Sequence, residues 1–141
     1  MHYKPLMPRI SNRHTTNAQI YITVSGLSKS GFAQLNNVSF EGLSFQSPFE
    51  YNNTQVITIN IPVVKPDFEV IAEIAWRRRN ASGFLAGVKF LQVEKGYRMK
   101  MLEQLTFIES YRKKVLFDED RKLSCEQAYS ELRNYYQYQR H

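Results

Sequence analysis

The stretch FEVIAEIAWRRRNASGFLAGVKFLQV, residues 68–93, reads as a hairpin: a strand from Phe68 to Arg79, a turn at Asn80-Ala-Ser-Gly83, and a second strand from Phe84 to Val93. Upstream of it, TQVITINIPVV at 54–64 is dominated by β-branched residues and forms a strand that Pro62 and Pro66 end, since proline cannot donate to a ladder. Gly42–Gln46 and Phe32–Ser39 are shorter strands, and Gly26-Leu-Ser-Lys-Ser-Gly31 is a turn or loop by its glycines and serines. Before it, Ile20, Ile22 and Val24 alternate with Gln19, Tyr21 and Thr23, the period of a half-buried strand. About six strands with short connections make an all-β barrel or sandwich.

Downstream of the hairpin the period changes. Met101, Leu105, Ile108, Tyr111 (or Arg112) and Val115 recur at steps of three and four, one face of an amphipathic helix from Lys95 to Leu116. Asp118-Glu-Asp-Arg-Lys122 breaks it. Ser124 with Gln127 then forms a capping box, and Cys125, Ala128, Leu132 and Tyr135 share one face of a second helix. The expected organisation is therefore an N-terminal arm at 1–17, a β domain at 18–94 and a helical extension at 95–141.

The 141 residues suit one domain with a modest core, and the hydrophobic share of 43% beside 23% charged residues is that of a soluble globular chain. One cysteine, Cys125, cannot form an internal disulfide, which points to a reducing compartment. With no apolar run long enough to span a membrane and no apolar leader at Met1-His2-Tyr3-Lys4-Pro5, the expected setting is cytoplasmic, without membrane insertion. The net charge of +6 favours an anionic partner. Residues 1–14 hold Lys4, Arg9 and Arg13 with no acid, whereas residues 118–141 are nearly balanced, so an anion is sought at the front of the chain.

Catalytic and metal signatures are lacking: there is no H-E-x-x-H, no G-x-S-x-G and no phosphate loop, and one cysteine makes no zinc cluster. Cys125 near a helix start has the position of a thiol with a lowered pKa, but no base neighbours it in sequence. Ser110-Tyr-Arg-Lys113 matches S-x-x-K only by chance, inside a helix. The expectation is a non-enzyme without metal or cofactor.

Two elements carry binding chemistry. Arg9-Ile-Ser-Asn-Arg13 places two guanidinium forks four residues apart in a proline-flanked arm, where each can hold a phosphate or reach O6 and N7 of a guanine. In Asn37-Val-Ser-Phe-Glu-Gly42, inward Val38 and Phe40 send Asn37, Ser39 and Glu41 to the other face. Asn37 then offers an amide and Ser39 a hydroxyl to a base edge, and Gly42 allows close backbone approach or a positive φ. Each motif alone is ordinary; ten arginines make an R-x-x-x-R match common.

In order and 24 residues apart, followed by a hairpin closing in Gly87-Val-Lys-Phe90, they make the chain resemble the PilZ domain family over about residues 5–95. Ile108-Glu-Ser-Tyr-Arg112 and Leu123 to Ala128 look like the helical tail of small stand-alone bacterial members. The resemblance implies a six-stranded antiparallel β-barrel with C-terminal helices, and a receptor for cyclic di-GMP. Its phosphates and guanine edges would be held by Arg9 and Arg13, and its base pocket lined by Asn37, Ser39 and Gly42. Pro8 stands where many relatives place another arginine that goes with an intercalated ligand dimer, which tilts toward one ligand per site. On this reading the arm folds over the barrel when ligand arrives, and the change is passed to a protein partner in motility, pili, exopolysaccharide synthesis or virulence. The helices are possible homo-oligomer interfaces.

The rival is a small basic barrel binding single-stranded nucleic acid, which calls for aromatic residues interleaved with lysines on a strand face. Strand lysines are few, Lys65 and Lys89, so nucleic acid is not the expected partner. Arg77-Arg-Arg79 beside Trp76 reads as a solvated hairpin end, with Arg77 and Arg79 on one face and Arg78 on the other. Tyr135, Tyr136 and Tyr138 read as packing of the tail on the barrel.

Overall fold

The computed structural model describes residues 14–24 and 30–139. The strands are β1 (His14–Thr15), β2 (Gln19–Thr23), β3 (Ser30–Val38), β4 (Gly42–Ser47), β5 (Val56–Ile61), β6 (Phe68–Asn80) and β7 (Gly83–Phe90), followed by α1 (Lys95–Glu119) and α2 (Cys125–Gln139). Every pairing is antiparallel. The order β3-β2-β5-β6-β7-β4 closes through a β3–β4 pairing, giving the six-stranded barrel that was expected. β1 adds no seventh position. It lies along the edge of β3 that β2 occupies further on, with His14 opposite Val38 and Thr15 opposite Asn37.

Alternation drives closure. Ile20 and Ile22 of β2, Ile57, Ile59 and Ile61 of β5, and Phe68, Val70, Ala72 and Ile74 of β6 all point inward and are buried, with Phe45 of β4 among them. Each large aliphatic or aromatic side chain so buried contributes about 1.5–3 kcal/mol. The β6–β7 hairpin turns where expected, with Asn80 paired to Gly83. The Asn80 carboxamide accepts from Ser82 N at 3.0 Å, and Gly83 takes a φ of 127° that a side chain would resist.

Several boundaries differ from the sequence reading. β5 is shorter than 54–64, because Thr54 has a φ of 64° beside an Asn52–Gln55 turn, and Val64 N turns back onto Ile61 O. Lys65 consequently sits in a connection and not on a strand. β7 stops at Phe90, two residues before the left-handed Gln92. β3 starts at Ser30, inside the expected loop, and His14 and Thr15, inside the expected arm, are paired as a strand. Residues 25–29, and with them most of that loop, lie outside the described set, as do the side chains of Tyr135, Tyr136 and Tyr138.

Met101, Leu105, Ile108 and Val115 of the expected stripe of α1 are buried, with Leu102 added and Tyr111 partly so, and the helix covers the barrel. Tyr97 stacks on Phe68 at 4.6 Å, and its hydroxyl accepts from Glu69 N at 2.9 Å. Lys65 N donates to the Gln104 side chain, which donates back to the Lys65 carbonyl. The helix runs to Glu119, three residues past the expected end. Asp120 closes it in the left-handed conformation, its N–H donating to Leu116 O. Ser124 and Gln127 form the capping box in both directions, at 3.0 and 2.8 Å. Cys125 and Ala128 of α2 are fully buried. Burial pushes the Cys125 thiol up to about 12, so the helix start does not make it a thiolate at neutral pH. No helix among the described residues is long and apolar enough to cross a membrane.

The helices are tied to the root of β2. Arg112 donates to Asn17 Oδ1 at 3.1 Å and to the Leu123 carbonyl at 2.8 Å, and Gln19 N donates to Glu126 at 2.7 Å. Helix α1 is also joined to α2 through Glu131, which accepts from both guanidinium NH2 groups of Arg121 and, at 2.6 Å, from the Tyr111 hydroxyl. The Arg121 bonds, then the tyrosine, hold the carboxyl down to about 2. A depressed carboxyl stabilises the fold above its unfolded pKa and loses that contribution as the pH falls toward 2. Glu131→Gln is therefore expected to lower the thermal midpoint slightly at pH 7, with the difference closing near pH 2. An equal difference at both values would show that the carboxylate charge is not what matters.

Candidate functional site

The turn between β3 and β4 is built from within. Ser39 N donates to the Gly42 carbonyl at 2.8 Å and the Ser39 hydroxyl to the same oxygen at 3.2 Å; Phe90 N ties the turn to β7 through Glu41 O. Val38 is fully buried and Phe40 packs partly against the core, so Asn37 and Ser39 face outward as the alternation requires. A bulge between Leu35 and Asn37 sets Asn37 opposite Ser44. Asn36 donates to the Ser44 hydroxyl at 3.0 Å, which donates to Asn37 Oδ1 at 2.9 Å. With its carbonyl so engaged, Asn37 presents its NH2 as the donor, while the Ser39 oxygen keeps lone pairs to accept.

Gly42 has no freedom to carry a side chain. A Cβ there would stand 2.0 Å from the Val88 carbonyl oxygen, so its role is close approach of β4 to β7 and not a positive φ. Gly87 acts similarly for an aromatic ring, since a Cβ would meet the Trp76 indole at 2.2 Å. A second bulge, between Ile74 and Trp76, brings this indole opposite Gly87.

Asn37, Ser39 and Gly42 thereby line one cleft of about 530 Å3, with Trp76 from β6, Lys89 from β7 and Arg98 from α1 around it. That volume suits a small-molecule ligand. The cleft combines an amide donor, a hydroxyl, an indole face, two cations and the Glu41 carboxylate at the turn. Arg98 donates through Nε to the Val93 carbonyl at 3.1 Å and through Nη1 to the Phe40 carbonyl at 3.3 Å, with its guanidinium carbon 5.0 Å from the Phe40 ring centre.

Three of the five sequence-predicted site residues are thus together. Arg9 and Arg13 lie outside the described residues. Sequence reading missed Trp76, Ser44, Lys89 and Arg98 as cleft residues. Arg98 left a trace, because it stands in register with the apolar stripe Met101, Leu105 and Ile108, where a cation has no reason to be unless it meets something. The triple arginine is not simply solvated. Arg77 pairs with Glu50 at 3.3 Å, Arg79 lies over Phe84, and Arg78, sharing a face with Trp76 by alternation, lies 5.6 Å from its ring. Among the described residues, no cluster of histidine, cysteine or carboxylate side chains has metal-binding geometry.

The family model described as PilZ domain matches residues 8–107. Among solved structures, a complex of YcgR with c-di-GMP from Escherichia coli is similar at a TM-score of 0.59 and 15% identity, over 78% of this chain and 49% of that one. The PilZ domain of YcgR with c-di-GMP is similar at 0.54 and 13%, over 82% and 99%. The PilZ domain of CeSA from a cellulose-synthesising bacterium is similar at 0.53 and 11%, over 70% and 99%. At these identities the likeness is one of fold. No curated protein matches the sequence significantly.

Proposed function

The chain belongs to the PilZ domain family, and from that premise we propose that it is a non-catalytic, cytoplasmic receptor for cyclic di-GMP, bound in the cleft between the β3–β4 turn, Trp76 and the start of α1. The observation that carries this reading is the convergence of Asn37, Ser39 and Gly42 on one cleft with an indole and two cations. Cyclic di-GMP offers two anionic phosphates to cations, two guanine edges to amide and hydroxyl, and two flat faces to an indole. Arg9 and Arg13 supply the remaining cationic forks. The residue that follows Arg13 in sequence, His14, pairs with Val38 between Asn37 and Ser39.

Ligand capture by the arm is read out through the helices, because the strand that follows the arm is held by Arg112 and Glu126. The recipient is a protein partner. The nucleic-acid alternative has less support: with Lys65 off the strands, Lys89 alone remains of the two expected strand lysines.

Trp76 is the only tryptophan, which gives a direct readout. Cyclic di-GMP is expected to quench its fluorescence saturably, at a fixed stoichiometry and with modest salt dependence. Trp76→Ala should weaken binding measured by calorimetry about tenfold, as loss of a base–aromatic stack does. A steep salt slope with single-stranded oligonucleotide, and no response to cyclic di-GMP, would establish the rival instead.

A further inference from the structure

We propose that Arg98, in the first turn of α1, is a further cation of the ligand site, one that grips a phosphate of the bound cyclic dinucleotide from the helical end of the cleft. The assignment rests on the receptor reading above. Three observations carry it. The side chain lines the same cleft as Asn37, Ser39 and Gly42. It is fixed in place: Nε and Nη1 each donate to a backbone carbonyl, and the guanidinium carbon sits over the Phe40 ring. Among the described residues these bonds use two of its five N–H donors, leaving three for a ligand whose capture need not order the side chain again.

The third observation is its charge. Arg77, Arg112 and Arg121 each stand within 4 Å of a carboxylate, but none of the ion pairs among the described residues includes Arg98. Its acceptors are neutral carbonyls, and it is half-buried. Its position raises the local potential further. The first turn of α1 holds Lys95 and Arg98 and no acid, and the side chain of the preceding Glu94 makes no capping bond. Helices ordinarily place acids there, since the amino end carries partial positive charge. A guanidinium without an ion pair among the described residues, at the positive end of a helix and inside a cleft, is an anion-binding arrangement even with Glu41 at the cleft's turn, and Arg98 would tie a ligand phosphate directly to α1.

The test is calorimetric titration of cyclic di-GMP into the full chain and its Arg98→Gln and Arg98→Lys variants, with thermal midpoints recorded alongside. Arg98→Gln should weaken binding about tenfold or more, the effect of losing a charged hydrogen-bond donor. Arg98→Lys should recover a clear part of that loss, because lysine restores the charge. Excess inorganic phosphate should not compete with the dinucleotide. Arg98→Gln binding within twofold of the unmodified protein overturns the assignment alone. So does Arg98→Lys losing as much as Arg98→Gln, since lysine cannot bridge the Phe40 and Val93 carbonyls and equal losses mean that the bridge alone matters. Should Arg98→Gln fail to fold, Arg98→Lys decides by itself: affinity within about tenfold of the unmodified chain supports the charge role, and no binding by a folded variant overturns it. An unmodified protein that binds no cyclic di-GMP overturns the receptor reading and this assignment together.

Discussion

Gly42→Ala is expected to lower the thermal midpoint by about 10 °C, a loss of about 3 kcal/mol, the upper part of what overpacking ordinarily does. The added methyl would stand 2.0 Å from Val88 O, 3.0 Å from Val88 C and 3.3 Å from Lys89 Cα. All three atoms are backbone, so no rotamer change relieves the contact and β4 must move away from β7. That movement strains the ladder of Gly42 with Lys89 and Leu43 with Val88, and the Phe90–Glu41 bond beside it. It also shifts the carbonyl that Ser39 engages, so ligand affinity should fall together with stability. Gly96→Ala is the control. A Cβ at Gly96 meets nothing within 4 Å, and alanine favours the helix over glycine, so its midpoint should stay or rise. Thermal unfolding followed by circular dichroism decides, and a Gly42→Ala midpoint equal to that of the unmodified chain would refute the packing argument.

The glycine also shows how far a sequence can be read. The period-two alternation of Ile20 and Ile22, the β-branched run around Ile57 to Ile61, the Asn80–Gly83 turn and the three-four stripe of α1 are local signals, and they specify the elements of the barrel. They do not specify where irregularities fall. The bulges at Leu35/Asn37 and Ile74/Trp76 depend on which partner residue each strand meets, which is a long-range property. Trp76 could not be placed in the cleft without the second of them. Strand β1 escaped for a different reason: two residues, His14 and Thr15, have no period, and only the edge of β3 makes them a strand. That Asn37, Ser39 and Gly42 come together in one cleft was legible because they lie within six residues of one another and share a turn. Arg98 comes from 56 residues beyond Gly42 and meets the turn only because α1 folds back over the barrel. The sequence could not weigh the helix-start position of Cys125 against burial, and it is burial that pushes its thiol up.

Arg9→Ala and Arg13→Ala, each alone, are expected to abolish measurable binding of cyclic di-GMP while the thermal midpoint stays within about 2 °C of the unmodified chain. The argument is one of magnitude. Micromolar affinity requires about 8 kcal/mol in total. Truncating one member of a hydrogen-bonded charge pair removes about 2–5 kcal/mol, part of it from the phosphate or guanine left without its partner. At the upper end of that range the loss carries a micromolar complex to the millimolar range, beyond ordinary calorimetric detection. Asn37 and Ser39 cannot replace what is lost, because both are neutral, and Lys89 is a point charge without the planar fork that matches a phosphate or the O6 and N7 edge of guanine. Stability should be indifferent to the change, because the strands and the two helices fill the buried core among the described residues. A destabilised Arg9→Ala or Arg13→Ala protein would give these arginines a structural role, and calorimetry showing normal affinity in both would remove them from the site.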